Sequence, residues 1–261
     1  MSDFKDKVVV VTGGGLGIGR AICRGFAAAG AKVICADIND EVGKALEQET
    51  PGPGEIRYQN ADVATNEGCQ AVVAAAGTEG IDVLCNNVGI APLSTYVPVH
   101  ELPIEDWDRI MDVNLKSYFL MSRLCIPEIL KRGGGAIINT ASVQGLQSMK
   151  GVSAYAASKG GVLSFTRQLA LEYAEQNIRV LAVNPGTVDT AMVAQAFDAM
   201  DGSPDEIRKE LGQCHPLKRI GRPEEIADVV LFLASDKASF MTGENVCVDG
   251  GLMAIGAWSG E

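Results

Sequence analysis

The chain has 261 residues, of which 47% are hydrophobic and 21% are charged, a composition typical of a soluble globular protein. Its formal net charge of −11 argues against a protein that binds nucleic acid, because the phosphates would repel it. The N-terminal residues lack the apolar region of a signal peptide, and no apolar run approaches the roughly 20 residues of a membrane span. These features predict a cytoplasmic protein.

The cysteines and histidines give no sign of a metal site. Seven cysteines are present without a Cys-x-x-Cys pair, and several lie in apolar runs, where cysteine behaves as a small hydrophobic residue. We therefore expect reduced thiols in the core rather than disulfides or zinc. The two histidines, His100 and His215, are far apart and lack partners at ligand spacing, so no metal is expected.

Short runs rich in β-branched residues recur along the chain, with helical segments between most of them. Most runs are continuously apolar, which is typical of strands buried on both faces, and the helical segments are long enough for crossovers. The pattern predicts an α/β fold in a single domain over residues 1–261, with a doubly wound parallel sheet of about seven strands and helices on both faces. The predicted strands cover residues 8–11, 33–35, 56–59, 81–85, 136–139, 180–183 and 245–248.

A glycine-rich turn follows the first predicted strand. Residues 12–19 read Thr-Gly-Gly-Gly-Leu-Gly-Ile-Gly, and a helical pattern begins directly after them. Glycines let the backbone approach a pyrophosphate closely, and a helix N-terminus offers it free N–H groups. The second strand ends at Asp37, 18 residues beyond Gly19, close to the spacing at which an acid binds an adenosine ribose. A carboxylate there would repel the 2′-phosphate of NADP, and no arginine follows it, so the sequence favours NAD.

Tyr155 and Lys159 lie four residues apart, so they share one face of a helix, and Ser142 lies thirteen residues before Tyr155. A free tyrosine has a pKa of about 10, too high for a base at neutral pH. A nearby ammonium stabilises the phenolate, and a serine hydroxyl could hold a substrate oxygen beside it. The trio predicts an acid/base site centred on Tyr155.

With these motifs, residues 7–251 resemble the short-chain dehydrogenase/reductase family, whose members have a single-domain Rossmann fold. The resemblance implies that Asn114, Ser142, Tyr155 and Lys159 are catalytic. Residue 88 departs from the family pattern, because valine replaces the alanine of an Asn-Asn-Ala-Gly motif. The cofactor-binding residues that the resemblance implies are Gly13, Leu16, Gly17, Ile18, Gly19, Asp37, Asp62, Val63, Asn87, Gly89, Tyr155, Lys159, Pro185, Gly186, Val188 and Thr190.

The resemblance implies an NAD-dependent oxidoreductase that interconverts a secondary alcohol and a ketone, or a sugar hemiacetal and a lactone. Tyr155 would exchange the hydroxyl proton while a hydride passes to or from the nicotinamide. Lys159 would lower the pKa of Tyr155 and bind the nicotinamide ribose, and Ser142 would orient the substrate oxygen. Asn114 would hold a water that joins Lys159 to solvent.

The substrate is less well indicated. A long excursion at about residues 187–216 follows a strand end, which predicts a substrate-binding lid, with a solvated loop as the alternative. Aliphatic side chains and two glutamines near the serine suit polyols, aldoses, cyclic secondary alcohols and hydroxysteroids alike. The candidate substrate-binding residues are Ser142, Gln144, Gln147, Tyr155 and Met192.

Two other functions stay open. One is an NADPH-dependent carbonyl or 3-oxoacyl reductase, against which Asp37 argues. The other is a dinucleotide-binding sensor without turnover, which would be expected to have lost part of the catalytic set. The helices around residues 107–130 and 153–174 carry apolar residues on more than one face. The resemblance implies that such helices pair in a homotetramer (or dimer); burial within the monomer is the alternative.

Overall fold

The structure, a computed structural model, describes residues 4–49, 51–197 and 202–256. All seven predicted strands are present, and all pair in parallel. Most extend the predicted run at one or both ends, whereas the fourth begins two residues later than predicted. The strands are β1 (Val8–Thr12), β2 (Lys32–Asp37), β3 (Glu55–Asn60), β4 (Val83–Asn86), β5 (Gly135–Thr140), β6 (Ile178–Pro185) and β7 (Asn245–Val248).

The strand order is β3-β2-β1-β4-β5-β6-β7, so the sheet is doubly wound as predicted. The order reverses between β1 and β4, which are neighbours although two strands separate them in sequence. In open parallel sheets, the loops at the carboxyl ends diverge at such a point and leave a crevice for a ligand. This Rossmann-type sheet therefore places its crevice where β1 and β4 end.

Helices cover both faces of the sheet. They are α1 (Gly17–Ala28), α2 (Asp40–Glu47), α3 (Asn66–Ala75), α4 (Ile104–Met111), a π-helical segment (Asp112–Lys116), α5 (Ser117–Lys131), α6 (Ser153–Tyr173), α7 (Ala191–Phe197), α8 (Pro204–Gly212) and α9 (Pro223–Ala234). The two helical regions expected around residues 107–130 and 153–174 are confirmed.

Successive residues of β1 show how the two-sided core forms. Val9 and Val11 pack with α1 and α9 on one face, and Val8 and Val10 pack with α3 and α5 on the other. Because side chains alternate along a strand, a strand covered on both faces needs an unbroken apolar run. Five of the seven cysteines are buried with these residues.

The excursion predicted at residues 187–216 contains α7 and α8, and its residues 198–201 lie outside the described ranges. Helix α8 begins with a capping box, in which Ser203 and Glu206 satisfy each other's backbone N–H groups. The assignment of this segment as a lid stays a prediction. Within the described ranges, no helix is both long and apolar enough to cross a membrane.

Candidate active site

The predicted site residues lie at one edge of the sheet, where successive strands end. The glycine-rich loop follows β1, Asp37 ends β2, and Asn87 follows β4. Ser142 follows β5, and Gly186 follows β6. Because the strands are parallel, residues that are far apart in sequence line the same crevice.

The glycine-rich loop has the backbone and the free helix end that a dinucleotide needs. Gly13 and Gly17 have φ values of 62° and 51°, in the left-handed region that favours glycine. A Cβ on Gly19 would lie 2.0 Å from the Gly13 carbonyl oxygen, so only glycine allows this close approach. Helix α1 has no side-chain cap at its N-cap residue, Leu16, and no acidic residue in its first turn. Its N–H groups are therefore free for an anion, and the loop fits a pyrophosphate.

Asp37 joins the second strand to this loop. The Gly15 N–H donates to Asp37 Oδ2 at 2.9 Å, and the Asn39 N–H donates to Oδ1 at 3.0 Å. A Cβ on Gly15 would lie 2.9 Å from Asp37 Oδ2, so the carboxylate lies against the glycine-rich loop. Asp62 and Val63 follow the adjacent strand β3; Asp62 is exposed and Val63 is buried.

Asn87 braces the loops that follow β1 and β4 against each other. Its side-chain Nδ2 donates to the carbonyl oxygens of Thr12 and Gly13 at 3.2 and 3.1 Å. In return, Thr12 Oγ1 accepts from the backbone N–H groups of Asn87 and Val88 at 3.0 and 3.2 Å. These hydrogen bonds fix the positions of the two loops relative to each other.

Gly89 brings this second loop against α6. A Cβ on Gly89 would lie 3.3 Å from Lys159 Nζ and 3.7 Å from Asn114 Oδ1. Three predicted site residues from three different elements therefore meet at one point.

Lys159 is 3% exposed, and its ammonium is held by the backbone. Nζ donates to the Thr140 carbonyl oxygen at 2.8 Å and to the Tyr118 hydroxyl at 3.4 Å. Burial lowers the pKa of Lys159 to about 7, because an ammonium removed from water is disfavoured.

Ser142 lies close enough to Tyr155 to affect its pKa, as the sequence predicts. The predicted electrostatics differ, because the pKa of Tyr155 is raised rather than lowered. Burial raises the pKa of Tyr155, and this effect outweighs that of the nearby Ser142 hydroxyl, which lowers it. The Lys159 Nζ lies 5.9 Å from the Tyr155 ring centroid and donates elsewhere, so its stabilisation of the phenolate is weak in this geometry.

Asn114 lies in the π-helical segment and is fully buried. Its Oδ1 accepts from the Ile90 N–H at 2.8 Å, and its Nδ2 donates to the Ile90 carbonyl oxygen at 2.9 Å. Nδ2 also donates to Ser158 Oγ at 3.3 Å. Both Nδ2 hydrogens are therefore engaged, and the side chain clamps the backbone just beyond Gly89.

The segment after β6 closes the other side of the crevice. A Cβ on Gly17 would lie 3.0 Å from Thr190 Cγ2, so the glycine-rich loop and this segment are in contact. Val188 is buried and pairs with Gly221 in an isolated parallel bridge. Arg208 of α8 forms an ion pair with Asp189 at 3.1 Å, which ties α8 to the start of the excursion.

The candidate substrate residues are less tightly grouped. Gln144 Oε1 accepts from the Met149 N–H at 3.0 Å, so this glutamine stabilises the loop to which it belongs. Gln147 is exposed, and Met192 is 38% exposed. A cavity of about 420 Å³ lies between the loop after Ser142 and the start of α6, and its lining includes Gln144 but not Tyr155. The structure thus brings Ser142 and Tyr155 together without gathering the other candidates around them.

Two tyrosines near the site were not predicted. Tyr118 contacts Lys159, and Tyr96 is close enough to Tyr155 to raise its pKa. The signal for Tyr118 was its position four residues after Asn114, on the same face of a nearly continuous helix. Tyr96 lies in an irregular loop, where no periodicity identifies neighbours.

Comparison with known proteins assigns the chain to a family. A family model described as Enoyl-(Acyl carrier protein) reductase, adh_short_C2, matches residues 14–253. Cyclohexanol dehydrogenase of Acinetobacter sp. (strain SE19) is 40% identical over 250 residues, covering 95% of each chain. The chain therefore belongs to the short-chain dehydrogenase/reductase family, whose members use a nicotinamide dinucleotide, and it is an oxidoreductase of that family.

Solved structures agree with this assignment. The ligand-free aldohexose dehydrogenase of Thermoplasma acidophilum has a TM-score of 0.89 and 38% sequence identity, covering 100% of this chain and 99% of that one. Levodione reductase has a TM-score of 0.91 and 36% identity, covering 97% and 100% of the two chains.

Proposed function

We propose that the chain is an NAD-dependent oxidoreductase that interconverts a secondary alcohol and a ketone, or a sugar hemiacetal and a lactone. The observation that carries the proposal is the convergence of the buried Lys159 Nζ, Asn114 Oδ1 and the Gly89 backbone, with Ser142 close enough to Tyr155 to lower its pKa. This arrangement places a proton acceptor, a hydroxyl to hold the reacting oxygen and a cation at the edge of the glycine-rich loop.

Each side chain has a task in alcohol oxidation. Bound NAD supplies the hydride acceptor. Ser142 Oγ holds the substrate oxygen by a hydrogen bond that strengthens as negative charge develops on it. The Tyr155 phenolate oxygen accepts the hydroxyl proton, and in carbonyl reduction the phenol returns it. Lys159 would bind the nicotinamide ribose hydroxyls through its ammonium, and its charge favours the phenolate weakly at 5.9 Å from the Tyr155 ring, while Asn114 holds the Ile90 backbone beside them.

Asp37 supports NAD as the cofactor. Its carboxylate lies against the glycine-rich loop, where it can accept hydrogen bonds from the adenosine ribose hydroxyls. The 2′-phosphate of NADP would lie beside this negative charge, and the residues that follow Asp37 are Ile38, Asn39 and Asp40. Repulsion between like charges costs several kcal/mol at close range, so NADP is disfavoured.

The substrate class that we propose is a cyclic secondary alcohol or a sugar. The names of the similar proteins, a cyclohexanol dehydrogenase and an aldohexose dehydrogenase, support both. Leu146 and Met192, which are 44% and 38% exposed, are the apolar side chains that we propose contact a carbocycle. The lid is proposed at residues 187–216, within which Arg208 and Asp189 form an ion pair.

A second candidate is an NADPH-dependent carbonyl or 3-oxoacyl reductase, which the name of a similar Thermotoga maritima protein, a 3-oxoacyl-[acyl-carrier-protein] reductase, supports. Asp37 argues against it.

Initial rates distinguish the two candidate functions. The wild-type protein is mixed with NAD or NADP and with cyclohexanol, polyols, aldohexoses or hydroxysteroids, and the reduced cofactor is followed by its absorbance. We expect turnover with NAD. Equal rates with NADP would overturn the cofactor assignment, and NAD binding without turnover of any substrate would favour a dinucleotide sensor.

We also propose a homotetramer (or dimer) located in the cytoplasm. A groove of about 590 Å³ runs between the π-helical segment, α5 and α6 on the outside of the protein. Phe119, which is 49% exposed, lines this groove, so a second copy of these helices would bury an apolar surface. Sedimentation equilibrium tests the assembly, and a monomer at all concentrations would contradict it.

A further inference from the structure

Tyr118 is a fully buried tyrosine beneath the candidate site. It belongs to α5, and its ring packs in a small apolar cluster with Ala141, Val162, Leu163 and Ala182. The hydroxyl of a buried tyrosine needs hydrogen-bond partners, since leaving it unpaired would be unfavourable. Those partners all come from segments that carry predicted site residues.

The Tyr118 hydroxyl lies 3.0 Å from both the Val88 and the Thr140 carbonyl oxygens. Because it has one proton, it donates to one of them at a time, and its oxygen lone pairs stay available as acceptors. Lys159 Nζ donates to this oxygen at 3.4 Å and lies 5.4 Å from the centroid of the Tyr118 ring. The distance to the ring is within the range of a cation–π interaction.

We infer that Tyr118 is a positioning residue, which holds the Lys159 ammonium in place through its hydroxyl and its ring. The inference rests on the proposed function, in which Lys159 acts on Tyr155 and on the ribose. Lysine has a flexible four-carbon stem, so a buried ammonium needs fixed partners to stay in one position. The Thr140 carbonyl oxygen is one such partner, and Tyr118 supplies the other while donating its own proton to the Val88 or the Thr140 carbonyl oxygen.

The charges around Lys159 make this contact important. The titratable groups that face it are Tyr118 from α5 and Tyr155 from α6, and no carboxylate of the described residues forms an ion pair with it. Burial raises the pKa of Tyr118 well above its usual value, so this phenol stays neutral and cannot compete with Tyr155 as a base. Its lone pair and ring face favour the ammonium form of Lys159 over the amine, against the burial that lowers the pKa of Lys159 to about 7.

Tyr118→Phe tests the inference, because it keeps the ring and removes only the hydroxyl. The matched control is Tyr173→Phe, which removes a tyrosine hydroxyl at the far end of α6. We expect kcat/KM for alcohol oxidation at pH 7 to fall about 10- to 150-fold in Tyr118→Phe, as for loss of one hydrogen bond to a charged group. The acidic limb of its pH profile should move to higher pH, and KM for NAD should rise; the control should match the wild type.

A measurement without turnover separates this inference from the proposed function. In protein labelled with ¹³C at lysine Cε, the Lys159 resonance is assigned by its loss in Lys159→Ala and is titrated in the wild type and in Tyr118→Phe. The midpoint should lie at lower pH in the variant. An unchanged midpoint and an unchanged acidic limb would overturn the positioning role and leave the function of Tyr155 intact.

The wild-type protein gives a further test that does not depend on how the variant folds. Nuclear Overhauser effects should connect the Lys159 Cε protons with the Tyr118 ring protons. Their absence would overturn the inference even if Tyr118→Phe proves too unstable to assay.

Discussion

The proposed nucleotide-binding part of the crevice and its proposed substrate-binding part are constructed in different ways. The nucleotide-binding part, formed by the loops after β1, β2 and β4, consists mostly of backbone. It contains glycines with little free space, an uncapped helix end and hydrogen bonds from the Asn87 side chain to the neighbouring loop. The substrate-binding part, formed after β5 and β6, depends on side chains that reach the site from a loop and an excursion. We therefore expect the nucleotide-binding part to tolerate few substitutions. Substitutions in the substrate-binding part can change which substrate is accepted without changing the fold.

The largest effect is expected at the junction of the two parts. Tyr155→Phe removes the group that exchanges the substrate proton, so kcat should fall about 10²- to 10⁴-fold, as for other general acid–base residues. NAD binding, measured by calorimetry, should stay within about threefold of the wild type, because the glycine-rich loop is untouched. Turnover that survives the substitution would remove Tyr155 from the mechanism.

Gly19→Ala tests whether close packing of the backbone shapes the nucleotide-binding part. The added Cβ would lie 2.0 Å from the Gly13 carbonyl oxygen and 2.6 Å from Asn87 Nδ2, so the loop or the start of α1 must move. We expect the dissociation constant for NAD to rise about 100-fold and the protein to lose about 1–3 kcal/mol of stability, as for other overpacked sites.

Gly25→Ala is the matched control, because Gly25 belongs to the same helix six residues later. Its Cβ would meet only the flexible end of the Leu231 side chain, at 3.1 Å. NAD binding should be unchanged, and alanine in a helix offsets the crowding. Equal losses of NAD binding in the two variants would show that α1 as a whole, rather than the close approach at Gly19, governs the site.

Much of this nucleotide-binding part was predictable from sequence, because glycines and continuous apolar runs have few structural interpretations. The seven strands, the order of motifs and the meeting of Ser142 with Tyr155 follow from local patterns of this kind. The sequence did not predict that the pKa of Tyr155 is raised. Both the burial of Tyr155 and the hydrogen bond from Lys159 to the Thr140 carbonyl oxygen depend on packing. The wall around the substrate depends on loop conformations, which have no period in the sequence.

Asp37→Ser should have a smaller effect, confined to the choice of cofactor. Removing the carboxylate relieves its repulsion of a 2′-phosphate, so the ratio of kcat/KM with NADP to that with NAD should rise about tenfold or more. Asp40→Asn is the control: it removes a negative charge from the same turn, where Asp40 already pairs with Lys44. A rise of similar size in both variants would mean that the net charge of the turn, and not the Asp37 contact, sets the preference.

The smallest effect is expected where the excursion joins the scaffold. Glu225 of α9 accepts from Arg219 at 2.6 and 2.8 Å and from the Arg222 N–H at 2.7 Å, and these contacts lower its pKa to about 2. A carboxyl whose pKa is lower in the folded state stabilises the protein above its unfolded pKa of about 4.3, and this stabilisation is lost as the pH falls towards 2.

Since the Glu225 side chain is 27% exposed, screening limits its contribution to about 1 kcal/mol. Glu225→Gln should therefore lower the free energy of unfolding by that amount at pH 7, with the difference from wild type shrinking below pH 4, as measured by urea denaturation. Glu224→Gln, an exposed neighbour on the same helix, should show no such pH-dependent difference. If turnover falls in Glu225→Gln while stability does not, the attachment of the excursion acts on the substrate-binding part directly, and the two parts are coupled more closely than their construction indicates.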